Sequence, residues 1–191
     1  MMNFASKDLT AGRLNALVKM VGGHDNVLAI LNGELKFKLL SGVSGVAIAT
    51  ADTLTVPTHP TTDAIAAGGY KWVDKLIAEA DFPITQDQFG DWEYKLFHFG
   101  GGVSTQAVID QMKAEGFGPA QTGHTLAFGA AHPEEQREYP IVGLGSVVFV
   151  GHRRGVLVLC GGGGQRGLCL GWFDDAWHGA SRFLGVRRLG A

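Results

Sequence analysis

Cysteine is scarce: Cys160 and Cys169 are the only two in 191 residues, which excludes a disulfide framework and a four-cysteine zinc site. Charge is sparse too, at 18% of the chain against roughly a quarter in an ordinary globular domain. A formal net charge of −2 argues against a dedicated polyanion binder. No apolar run approaches the ~20 residues that cross a bilayer. The opening Met1-Met2-Asn3-Phe4-Ala5-Ser6-Lys7-Asp8 lacks the basic region and apolar stretch of a signal peptide. The expectation is a cytoplasmic protein that contacts no membrane and keeps its cysteines as free, largely buried thiols. Catalytic signatures are also missing. Ser146 does not sit in Gly-x-Ser-x-Gly, no Ser/His/Asp spacing stands out, and no Walker or Gly-x-Gly-x-x-Gly loop is present.

The abundant residue is glycine, 29 in all, about twice the ~7% average and without a collagen-like period, so turns and loops are plentiful. Hydrophobic residues at 46% exclude an intrinsically disordered chain.

Four segments are expected. Residues 1–40 read as a small helical module. Thr10 caps a stripe of Leu14, Leu17, Val18 and Val21, Asp25 caps Val27 to Leu31, and Leu35, Phe37 and Leu39 alternate as a short strand. Residues 41–60, rich in small residues and proline, read as a linker. Residues 61–91 read as a helical connector, with a helix through Ala64–Ala67 and, after Gly68-Gly69, helical spacing of Trp72, Val73, Leu76 and Ile77. Residues 92–191 read as an α+β domain. It begins with a strand over Trp92–Phe99 and a helix over Thr105–Glu115 capped by Ser104. A second helical stretch, Thr125–Ala131, and a turn through Glu138 follow. Strands over Ile141–Val150, Val156–Cys160, Leu168–Phe173 and Arg182–Arg188, joined by short gaps, then predict an antiparallel meander.

Charge is unevenly placed. Residues 1–150 hold ten basic and sixteen acidic side chains, whereas residues 151–191 hold six arginines and two aspartates. Arginine offers a flat fork of donors for carboxylate, phosphate or aromatic faces. The run Asp174-Asp175-Ala176-Trp177-His178 is the densest polar cluster near the C-terminal end. Two carboxylates and an imidazole there suit acid–base work or a metal-assisted hydrolase. They equally suit a polar hairpin loop. His152 and His178 with Cys160 and Cys169 match no common zinc spacing. Gly100-Gly101-Gly102 before Ser104 reads as a flexible connection rather than a phosphate cradle. Nucleic-acid binding, through residues 10–33 or the C-terminal arginines, is a further alternative.

The order strand, helix, helix, then several strands resembles the C-type-lectin-like topology. The ending Ser181-Arg182-Phe183-Leu184-Gly185-Val186-Arg187-Arg188 resembles the closing strand of lectin-like proteins related to formylglycine-generating enzymes and of the diversified variable proteins of bacterial retroelements. The calcium motifs and paired disulfides of animal lectins are absent, as is the close active-site cysteine pair of the formylglycine-generating enzymes. The chain is also similar to bacterial proteins sharing the opening Val21-Gly22-Gly23 with Leu31-Asn32-Gly33-Glu34-Leu35 and the ending Trp172-Phe173-Asp174 with Arg182-Phe183. That likeness brings no function. The lectin-like resemblance implies a rigid sheet displaying loops at 151–155, 161–167 and 174–180. The expected function is non-enzymatic binding of a carbohydrate, protein or other ligand, with no cofactor. Trp172 and Trp177 would stack, Arg153, Arg154, Arg166 and Arg182 would donate, Asp174 and Asp175 would accept, and His178 would flank them.

Overall fold

In the computed structural model, the structure describes residues 52–78 and 80–189. The expected helical module at 1–40 and the first part of the linker lie outside the described residues. The elements in chain order are β1 (Thr53–Val56), α1 (Thr61–Gly68), β2 (Trp72–Val73), β3 (Gly90–His98), α2 (Thr105–Ala114), β4 (Gly118–Pro119), α3 (Thr122–Ala131), α4 (Glu135–Glu138), β5 (Ile141–Val150), β6 (Arg153–Gly162), β7 (Gln165–Trp172) and β8 (Arg182–Arg188). The fold is mixed α+β, built on one sheet in the order β1-β3-β8-β5-β6-β7-β2, with β4 added on β8.

Alternation along the strands splits the core into two faces. On one, Ile141, Leu157, Leu159, Leu168 and Leu184 meet Leu126 and Phe128 of α3 and Ala64 of α1. On the other, Val142, Leu144, Val156, Val158 and Phe183 meet Val108 and Met112 of α2. The stripe Val108–Met112 seats α2, and Ser104 Oγ caps it by accepting the Ala107 N–H at 3.3 Å.

Four expectations change. The first is the meander, which holds for β5, β6 and β7 and then breaks. β8 inserts between β3 and β5, antiparallel to the first and parallel to the second. Residues 173–181 must therefore cross one face of the sheet, and Trp177 anchors that crossover.

The second is the linker, because Thr53–Val56 is an edge strand paired with β3, with Leu54 and Val56 buried. The third is the connector, which belongs to the same core through Ile65, Tyr70, Val73, Ile77, Phe82 and Ile84. After Gly69 closes α1 at φ 60°, no helix resumes at Trp72. Lys71 N–H instead donates to Arg166 O at 2.8 Å and Asp74 N–H to Leu168 O at 2.9 Å, so the sheet ladder supplies the bonds a helix would have made.

The fourth is the free thiols. The β6–β7 register sets Cys160 opposite Gly167 and Cys169 opposite Val158, which makes the cysteines diagonal neighbours on one face. Their Cα atoms are 6.2 Å apart and the sulfurs are joined in a disulfide. That spacing lies within the range such bonds require.

Candidate functional site

The tight turn Gly151-His152 joins β5 to β6, with Gly151 at φ 61°, a backbone state that glycine adopts without strain. Val150 lies opposite Arg153 and Phe149 opposite Arg154, while Gly155 on the other side of β6 faces Trp172. Phe173 N–H donates to Arg154 O at 2.9 Å and extends the sheet one residue past β7.

This register brings five of the expected binding residues to one end of the sheet. The Arg153 guanidinium lies 4.0 Å above the Trp172 ring and donates to Asp175 at 2.7 Å. The Arg154 guanidinium lies 4.4 Å above the Phe173 ring, with its Nε 3.0 Å from Asp174 Oδ2. A second donor, Nη2, reaches Asp174 Oδ1. Because 153 and 154 are adjacent in a strand, the two clamps lie on opposite faces of the ribbon. The Arg154 guanidinium holds the Asp174 carboxyl below its usual range, and Asp174 in turn raises Arg154. Each charge is thereby balanced where it stands.

Four expected residues do not join them. Arg166 points into the fold. It donates to Gly68 O at 2.6 Å, to Gly129 O and to Gln136 Oε1 at 3.0 Å, and it lies over the Tyr70 ring. It ties α1, α3 and the start of α4 to β7, which is a structural task. Trp177 turns inward and donates from Nε1 to Thr105 Oγ1 at 2.8 Å, edge-on to Phe183. It anchors the crossover and offers no free platform. His178 is exposed and accepts the Ala180 N–H at Nδ1, 3.1 Å away. Arg182 sits at the opposite end of the sheet, beside Ile141 and 4.4 Å over the Tyr139 ring.

The C-terminal arginines share one device. All six from Arg153 to Arg188 lie over aromatic rings, the remaining two being Arg187 over Phe117 and Arg188 over Trp92. Arg187 also pairs with Glu93 at 2.7 Å. With Arg153, Arg154 and Arg187 paired to carboxylates, half of these cations are already balanced, which weakens the case for a bare phosphate-binding surface.

Sequence reasoning missed Phe173 and Phe149. Phe173 supplies the second clamp. Phe149 is 76% exposed at the ribbon tip. The signal for it was an uncharged Val-Val-Phe-Val run reaching a turn.

Among the described residues no three His, Cys, Asp or Glu side chains stand together as metal ligands. Cys160 and Cys169 are committed to each other. Asp174 and Asp175 are committed to arginines, so the metal-assisted reading of Asp174, Asp175 and His178 gains nothing from the geometry. No described helix is long and apolar enough to cross a membrane. A small apolar cleft lined by Val56, Ala64, Ile84, Leu126 and Ala130 lies away from the loops and offers about 40 Å³, room for no more than a few waters. No protein-family model matches the chain, and neither a curated protein nor a solved structure does so.

Proposed function

We propose that the protein is a non-enzymatic binding module of C-type-lectin-like build. Its ligand, a carbohydrate or a protein surface, is met by the loops around Arg153–Arg154 and Trp172–Asp175. The observation that carries this reading is the convergence of Arg153, Arg154, Trp172, Asp174 and Asp175 at one end of the sheet. Stacking and ion pairing fix their side chains in advance, so little rotamer entropy is left to lose on binding. Arginine and tryptophan are also the residues on which interface energy concentrates. The order of β3, α2, α3 and the strands that follow supports the lectin-like part of the proposal. The exposure of the Arg153, Arg154, Asp174 and Asp175 side chains favours an extended or macromolecular ligand over a small molecule enclosed in a pocket. The disulfide favours a compartment where thiols oxidise over the reducing cytoplasm.

The test is thermal unfolding of the purified chain against calcium, zinc, EDTA, common sugars, nucleotides and short duplex DNA. A ligand of the native state raises the midpoint by mass action. The expected result is a rise with a sugar, lost in Asp174→Ala/Asp175→Ala and in Arg153→Ala/Arg154→Ala. A rise that survives both pairs of substitutions removes the loop end from the binding role. A rise with duplex DNA that collapses with salt moves the protein to the nucleic-acid class.

A further inference from the structure

The β5–β6 ribbon outruns the sheet that carries it. β8 pairs with β5 only at Ile141 and Val142. A register shift follows between Gly143 and Val148. On that side the last backbone bond is Gly145 N–H to Ala120 O at 2.8 Å. Among the described residues no strand pairs with the outer edge from Val147 onward.

The direction of the free groups follows from the turn. With two residues in the loop, Val150 and Arg153 form the closing hydrogen-bonded pair, and Val148 with Gly155 forms the next. Phe149 and Arg154 are then a non-bonded pair whose amides and carbonyls point away from each other. Arg154 obeys this, because its carbonyl accepts Phe173 N–H on the far side. The amide and carbonyl of Phe149 accordingly face the open edge.

Edges of this kind are normally blunted by lysine, proline or an inward charge. Val147-Val148-Phe149-Val150 carries none of these, and Val147 and Phe149 are 39% and 76% exposed. We infer that this edge pairs antiparallel with the same edge of a second copy of the chain, across a two-fold axis, to form a weak dimer. An antiparallel strand pair repeats itself under that symmetry, so one exposed segment supplies both halves of the contact. The charges beside it also permit self-association. Arg153, Arg154, Asp174 and Asp175 sum to zero in two paired clamps, so a second copy meets no like-charged wall. The contact is about four residues long and falls short of the ~1,200 Å² of stable interfaces, which makes the association concentration-dependent. It is independent of the ligand reading, since neither Phe149 nor Val147 belongs to the proposed loop contacts.

Sedimentation velocity of the full chain from about 10 to about 500 µM tests it, a span suited to an interface of this size. The wild type is expected to move from monomer toward dimer. Phe149→Lys is expected to weaken the dimer by about tenfold or more while keeping the wild-type unfolding midpoint. The milder Phe149→Thr, which keeps β propensity, gives a second reading should the lysine disturb the ribbon. Phe149→Cys is expected to cross-link to its own copy on mild oxidation. A wild type that stays monomeric throughout overturns the inference, and so does a dimer that Phe149→Lys and Phe149→Thr leave unchanged.

Discussion

His124 is expected to make the fold sensitive to mild acid. It occupies the first turn of α3, is only 1% exposed, and lies edge-on to Trp92 with ring centroids 4.3 Å apart. Its Nδ1 accepts the Gln121 N–H at 3.1 Å, so the ring proton of the neutral form sits on Nε2, which has no hydrogen-bond partner. Adding a second proton would place a donor against the Gln121 donor and a charge in the core. Burial lowers the pKa from 6.5 to about 4, with Asp87 opposing that shift and Arg188 adding to it. The sign follows from proton counting. Above 6.5 neither state binds the proton. Between 6.5 and 4 the unfolded chain binds it and the native state does not, so stability falls as pH falls and is lost by about pH 4. At ~1.4 kcal/mol per pKa unit the loss amounts to on the order of 3 kcal/mol. Asp87, Glu115 and Asp174, all shifted downward, act at lower pH and leave the window from 7 to 4.5 to histidine. Urea titrations followed by tryptophan fluorescence at several pH values in that window give the curve. His124→Gln keeps an acceptor for the Gln121 N–H and removes the titration. Its stability is expected to be nearly flat across the window while the wild type declines. Parallel curves for the two proteins would refute the reasoning, whatever the constant offset between them.

Two further substitution sets separate structural from surface roles. Reducing the Cys160–Cys169 bond, or Cys160→Ser/Cys169→Ser, opens a loop of sequence separation 9. That is expected to cost about 2.5 kcal/mol and lower the unfolding midpoint by roughly 10 °C, read by calorimetry with and without reductant. An unmoved midpoint would mean that the bond does not constrain the unfolded chain. Arg166→Lys loses the fork that serves Gly68, Gly129 and Gln136 and is expected to cost about 2 kcal/mol. Arg153→Lys, at an exposed pair, is expected to stay within about 0.5 kcal/mol. Equal urea midpoints for the two variants would erase the distinction drawn between the inward-pointing, multiply bonded arginine and the loop arginine.

The elements legible in the sequence were those with local causes. Ser104 with Val108 and Met112 announces α2, and apolar stretches set off by short polar or glycine-rich gaps announce β5 and β8, both at their observed ends. β1 and β2 have four residues and two, too few for a period, and they exist because β3 and β7 offer open edges. The position of β8 is not a local property either. Alternation tells a strand which face to bury, but it does not name its neighbour. The site followed the same division. Arg153 and Arg154 open β6 and Asp174 follows β7, so it is the pairing of those two strands that brings them together. Arg166 and Trp177 looked equally suited to a ligand, yet the register of α1, α3 and α2 turns them inward.

The placement of β3 has a mechanical consequence. β1 and β8 flank it and run in the same direction, with Thr53 opposite Glu93 and Arg188 opposite Trp92. Tension drawn through Asp52 and Leu189 would pull the two outer strands in opposite senses along their lengths. Both ladders would then be loaded in shear, so their hydrogen bonds resist together instead of parting one by one. Strand pairing makes the central ribbon a clamp against stretching, while the loop end, several strands away, lies off the line of force.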